Sequence, residues 1–333
     1  MLDDGPQESV ARVRYLLAMC QMQLGRPDRA RPHLDEARAY YESTGAAESL
    51  VECMALEIWY ANVTQNPDGV VIGNRALAAC RGLDPAVPML EVRILTTLAS
   101  AHITAGGWLE AIAAYEEAIK VSGPFFDMKQ RARLFNDAAL AYKEIGRYEA
   151  AVRHITQAVA LLEATREPVM LARAENNFGV ILLAMHDPAR ARPHLERSLA
   201  LCVQTGLEVG RSHVLMSLAE LCLAEGRLEH ARLFAQQALE FAGRLHERDS
   251  CAQAHLWLGL IAAAAGDVAT CDQEFAVAIE QLEAAGAVEW LARGHEAYAE
   301  VLEKRGEIAL ANAELRTALG YRSRATSSVP PIA

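Results

Sequence analysis

Residues 142–151 read YKEIGRYEAA, a glycine set between two runs of strong helix formers. Glycine costs about 1 kcal/mol against alanine inside a helix, so Gly146 marks a helix end. The same break recurs at Gly25, Asn66, Gly106, His186, Gly226, Gly266 and Gly306, spaced 41 residues once and 40 every other time. Unrelated breakers would drift in spacing. These hold register, so the chain reads as an array of eight repeats before it reads as anything else.

Each mark divides two apolar helical patterns. Leu134, Ala138, Ala141 and Ile145 recur three or four apart before Gly146, and Val152, Ile155, Val159 and Leu162 do so after it. A connection of two or three residues makes the two helices antiparallel neighbours. Small residues keep the same phase. Ala18, Ala99, Ala139, Gly179, Ala219, Gly259 and Ala299 stand seven positions before their marks, and Ala37, Ala78, Ala118, Ala158, Ser198 and Ala238 twelve after. This repetition predicts the same close helix crossing in each repeat. Trp59 occupies the small position of the second repeat, which is therefore expected to be distorted. Pro32 and Pro193 fall seven residues after their marks. They imply either bent second helices or late-starting ones, with the same adjustment in the first and fifth repeats.

The bulk composition excludes several classes. A formal net charge of −11, from 43 acidic against 32 basic residues, disfavours a broad nucleic-acid or anionic-membrane surface. No uncharged apolar run reaches the length of a membrane span, and the acidic start MLDDGPQES does not resemble a signal peptide. Seven cysteines without a CxxC pair are expected to be buried free thiols in a reducing cytoplasm. No phosphate loop, HExxH or GxSxG pattern occurs, so neither a cofactor nor an enzymatic activity is expected. His33 and His194 precede acids by two positions, a spacing at which helical neighbours do not face each other, so they read as structural or solvated.

The phased small residues, with large apolar residues at Leu34, Tyr115, Ile155, Leu195, Phe275 and Leu315, closely resemble the tetratricopeptide repeat family. The resemblance covers residues 8–320. It implies an all-α, right-handed α-solenoid of about eight antiparallel helix pairs. After Leu319 the proline-marked stretch GYRSRATSSVPPIA is too polar for another packed helix, and a disordered tail over 321–333 is expected. The repeat length departs from the family's usual 34 residues. It looks like the longer variety found in bacterial transcriptional regulators, including peptide-sensing ones.

One periodic feature stands above the background. Arg12, Arg93, Arg133, Arg173, His213, Gln253 and Arg293 lie thirteen positions before their marks, and Thr96, Asn136 and Asn176 lie about one turn onward, with Asn177 beside the last. Arginine offers a rigid fork for carboxylates, and asparagine both donates to and accepts from a peptide backbone. The family resemblance places such first-helix positions on a concave inner surface that contacts extended peptides. It thereby nominates Arg93, Thr96, Arg133, Asn136, Arg173, Asn176, Asn177 and His213, with Lys143 farther along. The competing reading pairs these arginines with acids of adjacent repeats.

The resulting expectation is a scaffold whose groove accepts a peptide or an acidic protein segment. The alternative is a peptide-sensing regulatory protein, or a fragment of a bacterial transcriptional regulator. Ile308, Leu310, Leu315 and Leu319 of the last helix have no visible cap. They suggest a weak homodimer through a terminal surface, unless Tyr321 and Val329 fold back over them.

Overall fold

The computed structural model describes residues 5–123 and 126–327. The described residues form sixteen α-helices and no strand. The first helices of the pairs are α1 Gly5–Gln23, α3 Ala47–Val63, α5 Pro88–Thr104, α7 Met128–Glu144, α9 Pro168–Ala184, α11 Arg211–Ala224, α13 Arg248–Ala265 and α15 Val288–Lys304. The second helices are α2 Pro27–Thr44, α4 Gly69–Arg81, α6 Trp108–Ser122, α8 Tyr148–Thr165, α10 Pro188–Thr205, α12 Leu228–Arg244, α14 Val268–Ala285 and α16 Ile308–Ser327. The main packing is between partners of one pair. The helices group into two compact blocks, α1–α6 and α7–α16.

Gly146 takes φ 71°, the left-handed region where a Cβ would be strained. Its N–H bonds to the Lys143 carbonyl at 3.0 Å and that of Arg147 to the Tyr142 carbonyl at 2.9 Å, which satisfies the last carbonyls of α7 and turns the chain. Where glycine is missing, His186 takes φ 57° in its place. Close packing follows at the small positions. Ala18, Ala99, Ala139 and Ala219 have no exposed surface.

The second pair departs from the others, as Trp59 suggests. Its second helix, α4, is the shortest of the sixteen at 13 residues. The close approach shifts to Gly73 of α4, where a Cβ would lie 2.6 Å from Leu98 Cδ1 on α5.

The late-start alternative for the two prolines is overturned. α2 and α10 begin at Pro27 and Pro188, so Pro32 and Pro193 each stand sixth in a helix already under way. An earlier proline sits at the first helical position, where its missing N–H costs nothing.

α16 runs through Ser327, and Tyr321 and Arg322 bind back to the preceding helices. The Tyr321 ring stacks on His295 of α15, and Arg322 donates to both oxygens of Glu296 at 2.7 and 2.8 Å. Residues 328–333, including Val329, lie outside the described residues. The four apolar residues of α16 remain exposed, Leu319 at 64 %. At the other end α1 exposes Val10, Val13, Leu16 and Leu17.

Candidate functional site

In the N-terminal block the arginine ladder is internally engaged. Glu52 of α3 accepts Arg12 of α1 and lies 3.9 Å from Arg93 of α5. Thr96 donates to the Val92 carbonyl of its own helix at 2.7 Å. Here both arginines stand beside an acid of an adjacent repeat.

The C-terminal block is different. Arg133 of α7 is exposed and stands 3.8 Å from Asp137, one turn along. Asn136 is buried. Its amide donates to Asp137 at 3.0 Å while its carbonyl accepts the Asn177 amide of α9 at 2.9 Å. Two candidate asparagines therefore bond each other across neighbouring first helices. Burial raises the Asp137 carboxyl above its ordinary range, opposed by the Asn136 bond and by Arg133 and Arg173. Asn176 has a buried Oδ1 without a protein partner.

Arg173 is exposed and makes no ion pair among the described residues. It is close enough to His213 of α11 to help lower the imidazole below its ordinary value. The larger cause is desolvation by the surrounding protein, and Glu247 opposes both. His213 nonetheless keeps an exposed surface. Lys143, at the end of α7, lies 2.7 Å from Glu144.

Three residues outside the nominated set lie beside Lys143 or its partner: Glu144, Glu220 and Arg293. Glu144 also accepts Arg293 of α15 at 3.0 Å, across 149 residues of sequence. Burial would raise the Glu144 carboxyl, but Lys143 and Arg293 together hold it below its ordinary range. Arg293 is fixed further by Glu289 at 3.0 Å and by lying 5.4 Å over the Trp290 ring. Glu220 of α11 has no hydrogen-bond partner among the described residues, and burial pushes it up to about 7 against the pull of Lys143. A signal for two of them existed in the sequence. Arg293 stands in the arginine register, and Glu220 occupies the register held by Leu140, Val180 and Leu260.

Other titratable groups serve the fold. His194 meets buried Glu175 at 2.6 Å, His255 meets Glu274 at 2.6 Å and His295 meets Glu314 at 2.5 Å, each pair tying a first helix to its own second helix. Five cysteines are buried as expected, whereas Cys251 is half-buried and Cys20 is exposed. Burial pushes the Cys53 thiol up to about 12, which makes it a poor nucleophile. Among the described residues no three His, Cys, Asp or Glu side chains converge on a metal position, and no helix is long and apolar enough to cross a membrane.

Three tetratricopeptide repeat models match the chain, over residues 11–36, 96–165 and 170–243. A curated relative, the 43 kDa receptor-associated protein of the synapse from Tetronarce californica, is 23% identical over 184 residues. That match covers 54% of this chain, which spans less than half, 44%, of the relative. The fold is similar to the apo form of the quorum sensor NprR from B. thuringiensis, with TM-score 0.69 and 17% identity, covering 95% of this chain and 88% of that one. It is also similar to the Rap conjugation gene regulator of plasmid pLS20 in complex with a peptide. There the TM-score is 0.60 at 14% identity, and 96% of each chain is covered.

Proposed function

The chain belongs to the tetratricopeptide repeat family, and we propose on that premise that it is a peptide-sensing regulatory protein whose ligand lies against the first-helix wall of the C-terminal block. The observation that carries this reading is Arg173. It is exposed between Asp137 and His213 and makes no ion pair among the described residues. A guanidinium fork in that position suits a carboxylate of an extended ligand. Arg133 and Lys143 supply further positive charge on α7. The unfilled Asn176 acceptor, worth about 1–3 kcal/mol while unsatisfied, gives a reason for the wall to rearrange around a peptide N–H.

Likeness along almost the whole chain to a quorum sensor and to a peptide-bound gene regulator favours a sensor over a passive scaffold. The scaffold reading uses the same wall for an acidic segment of a larger partner. A library of fluorescein-labelled short peptides with free carboxyl termini, read by anisotropy, separates the outcomes. The sensor reading expects a defined set of binders that lose affinity at least about tenfold, roughly 1.4 kcal/mol, when Arg133 and Arg173 are both changed to alanine. Equal binding by the double variant removes this wall from the function. Binding only to folded acidic proteins, and to no short peptide, favours the scaffold.

A further inference from the structure

Among the described residues α1 is the first helix and α16 the last, and their main packing partners are α2 and α15 respectively. Each exposes the face that the repeat elsewhere buries. Leu17 stands eight residues before its mark and is 39 % exposed, yet Ile58, Leu98, Phe178, Leu218 and Leu258 in the same register are all buried. Leu315 stands nine residues after its mark and is 41 % exposed, whereas Leu34, Tyr115, Ile155, Leu195 and Phe275 in that register are buried.

The internal junctions show which registers meet. The Phe275 ring of α14 stacks on Tyr298 of α15, with centroids 4.7 Å apart, and these are the registers of Leu315 and Leu17. Arg38 of α2 donates to both oxygens of Glu57 on α3 at 2.7 and 2.9 Å, and these are the registers of Leu319 and Leu16. One internal junction thus uses a ring stack and another an ion pair at these places. The free ends carry leucine at all four positions. The charged neighbours do not oppose contact, because Arg14 is tied to Glu36 and Arg322 to Glu296 within their own chain.

We infer that α16 of one copy stacks on α1 of a second copy, continuing the repeat interface between chains with Leu315 against Leu17 and Leu319 against Leu16. The contact is heterologous, so each addition leaves one free α1 and one free α16. This association is independent of the peptide-binding reading.

Light scattering on wild type, Leu17→Asp and Leu315→Asp over a concentration series tests it. The mass of wild type rises with concentration beyond two chains. Each variant alone stays at one chain. An equal mixture of the two gives a species of two chains and nothing larger, because only one intact α16 and one intact α1 remain to meet. A wild-type mass fixed at one chain overturns the inference, as it would if an upstream segment or an unrelated partner were the occupant. Self-association of Leu315→Asp without that of Leu17→Asp also overturns it, by indicating a symmetric α1 contact. Should the aspartates impair folding by circular dichroism, Leu17→Cys mixed with Leu315→Cys, both in a Cys20→Ser background, supplies a second measure. Oxidation gives an inter-chain disulfide between the two variants, and failure to crosslink counts against the contact.

Discussion

A Cβ placed on Gly179 of α9 would lie 2.4 Å from Leu195 Cγ of α10, so the backbone of one helix rests directly on the side chain of its partner. Gly179→Ala brings about 1 kcal/mol of helix propensity but forces Leu195 aside, an overpacking cost of about 1–3 kcal/mol. The expected result is a lower unfolding midpoint in urea. Gly320 of α16 has nothing within 4 Å of the same position, so Gly320→Ala is expected to raise the midpoint. Opposite signs for the two substitutions are the check.

Glu220 links stability to pH. Its ordinary value is 4.5, and burial raises it to about 7. Below 4.5 both the folded and unfolded chains hold the proton. Between there and about 7 the unfolded chain loses it first, so stability falls as pH rises, and above that window the cost is complete. Glu220→Gln is expected to be more stable than wild type by about 2–3 kcal/mol at mildly alkaline pH. The difference should vanish toward the acid end of the window. Thermal melts of the pair across pH read it directly.

Glu144 has the reverse sign. Lys143 and Arg293 lower its carboxyl, so its contribution is present above the ordinary value of 4.5 and is lost as pH falls through the folded value. Arg293 keeps 35% of its side chain exposed, which screens the pair. A double-mutant cycle with Arg293→Ala and Glu144→Gln is expected to give a coupling of about 0.5–1 kcal/mol at neutral pH. High salt and strong acid should both reduce it.

Two arginines near each other in sequence should behave differently. Arg197 donates at 2.6 Å to Glu175, which has no exposed surface. Removing it leaves a buried carboxylate short of a partner, at a cost of about 1–3 kcal/mol. Arg173→Ala is expected to stay within about 0.5 kcal/mol of wild type in stability, with its effect confined to ligand binding. A large loss of stability in Arg173→Ala would show that the residue serves the fold.

The helix pairs were legible because each carries its own instructions. Gly146 turns the chain and Ala139 admits the partner helix, and neither depends on anything beyond its own pair. The wall was legible only as a face. Register aligned Asn136 with Asn176 and put Asn177 beside the latter, but whether an asparagine reaches a ligand or its neighbour depends on side-chain torsions that spacing does not encode. Arg293 and Glu144 could not be matched at all, since their meeting depends on small rotations accumulated from pair to pair. The letters after Leu319 look polar, which hid that Tyr321 and Arg322 are anchored on α15 and on Glu283 of α14.

Most side-chain bonds that tie these helices together join partners 19 to 41 residues apart, as His194 with Glu175 and Asn177 with Asn136 do. Such wiring is modular. Excising residues 187–226 would bring α12 up behind α9 in the place of α10, with like register following like. The Arg293–Glu144 pair is different, because it closes over every helix pair between its two ends. Deleting or duplicating one repeat would leave the local bonds able to re-form and carry these two side chains out of reach. That single ion pair therefore depends on the number of repeats it encloses, whereas the local bonds do not.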